Sequence, residues 1–281
     1  MIPRTLHLPR RSARHLFAHV GFLIVLFGAF VLTGCRSTPL ATTAAKSETG
    51  PALSDQGVHL ATNILVDELT YSAAGIGKSA LTQEQALRLA KIDLVVDART
   101  FEADYEANEL AGDAKYKNKR FLISGTIHSI EKDFTNQGYL VLASGSLLGV
   151  QAHLSDRGMV GAASLKKGMK TFLVCQSSDR VVGTETAGDC QRLSQYLDEI
   201  KPELATTTRD FLTGRRTMPR ELGTALAYSY ILDAQLPASS ACRAQLNDGC
   251  REELKTITSD KARVAQIKQE EQKMEPNLKF E

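Results

Sequence analysis

The chain has 281 residues, 43% of them apolar, with 34 lysines and arginines against 32 aspartates and glutamates, and no tryptophan. That is enough apolar material for a folded core. The four arginines of residues 1–34 face no acid, so without that stretch 30 basic residues stand against 32 acidic ones, a net charge of −2, which excludes attraction to nucleic acid or anionic lipid by overall charge.

The N-terminus reads as an address. "MIPRTLHLPRRSARH" is basic, and "VGFLIVLFGAFVL", Val20 to Leu32, is an apolar run of 13 residues. A spanning helix needs about 20 apolar residues, whereas a signal-peptide core needs about 7–15. "LTGC", Leu32 to Cys35, follows directly. An apolar residue, two small ones and a cysteine at this place resemble the lipobox of bacterial lipoproteins. The resemblance implies cleavage before Cys35, a lipid on its sulfur and acylation of the new N-terminus; an uncleaved membrane anchor is the alternative. Arg36, where an aspartate would hold enteric lipoproteins back, implies the periplasmic face of the outer membrane. Acyl chains contribute about 0.8 kcal/mol per buried methylene, so several anchor firmly. Residues 35–57 then read as the lipidated cysteine and a flexible Ser/Thr/Ala/Pro/Gly tether.

Residues 58–118 are expected to be N-terminal helices. Residues 58–80 show no decisive period and suit a short helix or an irregular segment. In "LTQEQALRLAKIDLVV" the pattern turns helical through Leu94, and Thr82 with Gln85 forms a capping-box signature. "TFEADYEANELAGDAKY" predicts one further helix with Phe101, Tyr105, Asn108 and Ala111 near one face.

Strands follow over residues 119–192. In "FLISGTIHSIEKDF" Phe121, Ile123 and Ile127 share one parity and Ile130 the other. A slip of one residue turns every later side chain to the other face, so the strand needs a bulge, expected near Gly125. "DFTNQG" is a turn, "YLVLASG" a second strand, and "GVQAHLSD" a third with Val150, Ala152 and Leu154 inward. "MVGAASLKKG" is a short helix, "MKTFLVCQ" a fourth strand, and "SSDRVVGTETAGDC" a loop into a fifth. A long bent strand, two more, a short helix and two strands are the order of a five-stranded OB-fold barrel.

Beyond Cys35 four cysteines remain, which allow three pairings. Proximity favours Cys175–Cys190 and Cys242–Cys250. A zinc site is the rival and lacks any Cys-x-x-Cys; free thiols are the other alternative. One unbroken helix would hold Cys242 and Cys250 about 12 Å apart, too far to bridge, and "NDG", Asn247 to Gly249, supplies a turn.

"YEANELAGDAKYKNKRFLISGTIHSIEKDF", "GYLVLASG", "GVQAHLSD", "AASLKKGMK" and "LVCQSSDRVVG" followed by "DC" resemble the OB-fold lipoprotein family labelled tRNA-anticodon-binding-like, over about residues 100–192. The resemblance implies an α+β protein with an OB barrel. The label reflects kinship of fold, which is a weak warrant for activity.

Residues 193–281 read as a C-terminal helical region. "QRLSQYLDEI" and "PELATTTRDFLTG" predict two helices. "TMPRELGTALAYSYILDAQL" predicts another, with Thr217 as N-cap and Leu222, Leu226 and Tyr230 on one face. The charged tail from Ser259 predicts a solvated helix that frays.

Chemistry-bearing motifs are few. "GIGKS", Gly75 to Ser79, lacks the first glycine of a phosphate-binding loop, since Ser72 stands there. His59, His128 and His153 have no ligand set around them in the sequence. The expectation is a non-enzymatic protein with no catalytic residue, cofactor or metal. Its partners are the membrane, through the lipid, and an envelope protein docked on the barrel, with a glycan or small molecule as the lesser form. The candidate face is Phe134, Tyr139, Gln151 and His153, flanked by loops 133–137 and 177–183. A nucleic-acid-binding OB protein is the alternative. It needs a basic groove with stacking aromatics, and Gly138 to Asp156 holds no lysine or arginine.

Overall fold

A computed structural model of the chain describes residues 53–181, 183–243 and 246–281. The expected leader, the expected lipidation site Cys35 and nearly all of the expected tether lie outside the described residues. The fold is α+β, with helices grouped beside one large sheet.

Helix α1 spans Asp55–Ala73, and the Ser54 hydroxyl caps it by accepting the Gly57 N–H. It buries Leu65 and Leu69 in one apolar cluster and Leu60 in another. A helix buried on more than one side shows no single stripe, which is why its sequence carries no clear period. Helix α2, Gln83–Leu89, begins at the Thr82–Gln85 capping box. It stops earlier than its pattern suggests. Lys91 turns the backbone into the left-handed region, and Leu94–Asp97 is strand β1 rather than helix.

The single helix expected after it is two, α3 (Ala98–Ala107) and α4 (Glu109–Tyr116), broken at an extended Asn108. The Asn108 side chain accepts the Ala111 N–H, so a residue placed on the buried face is a cap instead. Phe101 and Tyr105 meet Tyr116 and Phe121 in an aromatic cluster. Gly112 lets α4 approach, since a Cβ there would stand 2.7 Å from the Tyr105 ring.

The sheet follows: β2 (Phe121–Lys132), β3 (Gly138–Leu142), β4 (Val150–Leu154), then helix α5 (Asp156–Ala162), β5 (Lys170–Cys175), β6 (Ser177–Val181) and β7 (Thr184–Arg192). The large sheet has seven strands, two beyond the five expected. β1 runs parallel beside β2, and the segment read as a loop after Cys175 is β6, hairpinned onto β7. The first half of β2, Phe121–Thr126, pairs with β5 and the second half with β3. β3 pairs with β4, β4 with β7 in parallel, and β7 with β5. The pairings thus return to β2.

The break in β2 is real but lies between Ile127 and Ser129, not at Gly125. Gly125 provides space instead of bending freedom: a Cβ there would stand 3.1 Å from Leu142 and 3.3 Å from Ala98. Ile130, beyond the slip, is substantially exposed. Val150, Ala152 and Leu154 are buried as expected, with Phe121, Ile123, Leu140, Leu142 and Leu173 in the same core. The opposite side of the β2–β5 pair is buried too. Leu122 and Val174 face each other in register and enter the core built by the helices.

Helix α6, Leu193–Leu212, runs unbroken through Pro202, where two helices were expected. Thr217 does not cap α7. It lies in a short strand, β8 (Thr217–Met218), and α7 (Arg220–Asp233) starts after Pro219. Helices α8 (Asp248–Ser259) and α9 (Lys261–Met274) and strand β9 (Lys279–Phe280) complete the chain. The tail does not fray into solvent. Ile267 is fully buried, and β9 pairs with β8.

Both short-range cysteine pairs are disulfides. Cys175 and Cys190 lie across the β5–β7 pair with Cα atoms 4.1 Å apart. Cys242 and Cys250 are 4.5 Å apart, brought together because Asn247 starts α8 by accepting the Cys250 N–H.

Candidate functional site

The wall formed by the second half of β2 with β3 and β4 turns Ser129, Glu131, Tyr139, Val141, Gln151 and His153 to the side opposite Leu140, Leu142 and Ala152. The register places Tyr139 between Glu131 and His153, and Val141 between Ser129 and Gln151. Alternation along strands whose inward residues are fully buried dictates this arrangement. The helical core takes its sheet residues from Leu122, Val174 and their neighbours on the other wall. Tyr139, Gln151 and His153 remain half-exposed.

The face is internally ordered. The Tyr139 ring stacks on His153 with centroids 5.2 Å apart, and its hydroxyl donates to Glu131 Oε2 at 2.7 Å. The Ser129 hydroxyl donates to Glu131 Oε1 at 2.6 Å. These bonds, Ser129 first, hold the Glu131 carboxyl below the usual range and keep it ionised, and Glu131 in turn pushes the Tyr139 phenol up. The adjoining turn is organised by Asp133, which accepts from the Thr135 hydroxyl and from the backbone N–H groups of Thr135 and Gln137. Its carboxyl is likewise held low, first by the Thr135 hydroxyl. Phe134 sits on this turn 99% exposed.

The four candidate residues are thus a stacked pair, Tyr139 and His153, with Gln151 one position along the outward row of β4 and Phe134 on the neighbouring turn. The second flanking loop proposed from sequence is not a loop, since Ser177–Val181 is strand β6. Basic residues of the stretch Lys115 to Arg120 are engaged away from this face. Lys115 pairs with Asp104 and Lys117 with Asp113, and the Arg120 guanidinium donates to the Tyr196 hydroxyl.

Sequence reasoning missed Glu102. It is 3% exposed and accepts from the Ser144 and Ser146 hydroxyls and the Gly145 and Ser146 N–H groups. Burial pushes its carboxyl up, but the four donors outweigh burial and hold it below the ordinary value. It fixes the β3–β4 loop, on which Leu147 is fully exposed. A serine-rich loop gives no hint of a carboxylate 42 positions upstream. The partner Tyr139 of Glu131 lies across the β2–β3 register, which the sequence does not fix.

Among the described residues no group of three or more histidine, cysteine or acidic side chains is placed to hold a metal, and no helix is long and apolar enough to cross a membrane. The sequence model of the family described as tRNA_anti-like matches residues 13–184. No curated protein matches the sequence.

Proposed function

The chain belongs to the tRNA_anti-like family, an OB-fold-like family, and we propose that it is a non-enzymatic bacterial envelope lipoprotein that docks a protein on its OB barrel. In this reading the circuit β2–β3–β4–β7–β5 is the five-stranded barrel, with β1 and β6 as additions. The observation that carries it is the face of Tyr139, His153 and Gln151 beside Phe134. The face is ordered by its own hydrogen bonds and remains outside the helical core on the opposite wall. A fully exposed aromatic next to a half-exposed aromatic pair suits a docking surface better than a solvated one.

The basic leader, the short apolar run and the lipobox support lipidation at Cys35 and residence on the periplasmic face of the outer membrane. Two disulfides suit an oxidising compartment. A glycan or small molecule on the same face is the lesser form of the reading.

The family's description favours nucleic acid as a second reading. The face weighs against it, because Gly138 to Asp156 contains no lysine or arginine and the neighbouring Glu131 and Asp133 are held ionised. Two measurements test the proposal. Intact mass of protein extracted from native membranes is expected to start at an acylated Cys35. Photocrosslinking in cells from positions 134 and 139 is expected to capture a discrete envelope protein. Salt-dependent oligonucleotide binding at micromolar concentrations by the purified protein would overturn the docking reading in favour of nucleic acid.

A further inference from the structure

Charge and shape on the docking face select among protein partners. Ser129, Gln151 and Tyr139 on its outward rows are uncharged at neutral pH, and Tyr139 sits directly between Glu131 and His153. Glu131 is exposed, and Asp133 lies one residue before Phe134. Both carboxylates bond only hydroxyl and backbone donors, and no ion pair forms to either among the described residues. Lys132, the basic residue between them, alternates to the other side of β2 from Glu131. Along β3 and β4, Gly138 to Asp156 has no lysine or arginine, and His153 is the basic side chain there, close enough to Asp133 to act on its charge. The same carboxylates are fixed in place: Tyr139 and Ser129 hold one and the 133–137 turn holds the other. A preorganised anionic pair beside an exposed phenyl ring recognises a cation that arrives with an apolar neighbour.

We infer that the partner segment docking on this face is an extended, basic stretch of protein, its lysine or arginine side chains meeting Glu131 and Asp133 and an apolar side chain covering Phe134. This rests on the docking reading above and narrows it. Extended backbone fits the wall because successive side chains of such a segment alternate, so that one row can face Glu131, Tyr139 and His153 while the other faces away.

The test replaces Phe134 with the photoreactive aromatic p-benzoylphenylalanine in the full chain, crosslinks in cells, and sequences the captured contact peptide by mass spectrometry. The expected contact peptide carries a net positive charge. Its yield is expected to fall roughly threefold on adding Glu131→Gln, the scale of one exposed ion pair. Glu131→Gln keeps one acceptor oxygen and puts an amide donor where the other oxygen stood, so one of the two hydroxyls must turn to accept, and an unchanged denaturation midpoint shows that the fold is kept. A second arm needs no substitution: in opened envelopes the yield is expected to fall as ionic strength rises through the range where the screening length drops below about 10 Å. A captured contact peptide that is neutral or acidic, or a yield indifferent to both Glu131→Gln and salt, overturns the basic-segment inference and leaves docking standing. Capture of no protein, or of nucleic acid, overturns docking and the inference together.

Discussion

The rings of Tyr139 and His153 lie 5.2 Å apart and 25° from parallel, on residues that face each other across the β3–β4 register. A cross-strand aromatic pair of this kind stabilises the sheet by about 0.2–1 kcal/mol, while its outer surface stays available to a partner. The phenol is tied to Glu131 and the neighbouring turn carries Phe134, so one short stretch of sheet unites stacking, charge and apolar exposure.

That union separates docking from stability. Phe134→Ala is expected to shift unfolding free energy by no more than about 0.5 kcal/mol, because a side chain 99% exposed buries nothing. The same substitution is expected to reduce partner capture from a photoreactive group at position 139. Urea unfolding and crosslink yield together check it. A large stability loss would mean that Phe134 packs in solution.

Glu102 ties the β3–β4 loop to α3. Glu102→Ala is expected to cost about 1–3 kcal/mol, since four donors lose their acceptor. Its carboxyl lies below the ordinary glutamate value near 4.5 when folded. The stabilisation is therefore fully present above that value and is lost as pH falls from it through the lower folded value. Denaturation midpoints between neutral pH and pH 3 are expected to decline less steeply in Glu102→Gln than in the parent chain.

The Cys175–Cys190 bridge closes a segment with a sequence separation of 15 and joins β5 to β7. Replacing both cysteines by serine is expected to lower stability by about 3 kcal/mol in the chain-entropy account. Unfolding of the parent chain with and without reductant provides the comparison, and a midpoint unaffected by reductant would contradict it.

Ile267 is the buried contact of α9, in the small core with Leu60, Ile231, Leu236 and the Cys242–Cys250 bridge. Ile267→Ala is expected to cost about 2–5 kcal/mol locally. Hydrogen exchange is expected to accelerate across Lys261–Met274 while β2 and β5 stay protected. Loss of protection in both regions would show that the tail and the sheet unfold as one unit.

The sequence by itself determined the strands whose pattern is local. Val150, Ala152 and Leu154 alternate because one side of β4 is buried, and the parity change after Ile127 marks a break wherever the strand is placed. It determined the capping box at Thr82 and favoured the two nearest cysteine pairs, since these depend on neighbours within a few residues or on proximity along the chain. Only the tertiary structure decided the rest. Leu94–Asp97 continues a helical pattern in sequence, yet it is a strand because β2 offers it backbone partners. Helix α1 hides its period because two cores claim different sides of it. The charged tail packs against the fold because Ile267 joins a core with Leu60 of α1 and residues of α7 and α8, which no window of the tail reveals. The candidate face combines both sources. Tyr139 and His153 were visible as residues, but their stacking, and the Glu131 carboxylate fixed beside them, exist only once the register is set. Side chains 14 positions apart in the chain become neighbours through backbone hydrogen bonds that the sequence leaves open and the β3–β4 register fixes.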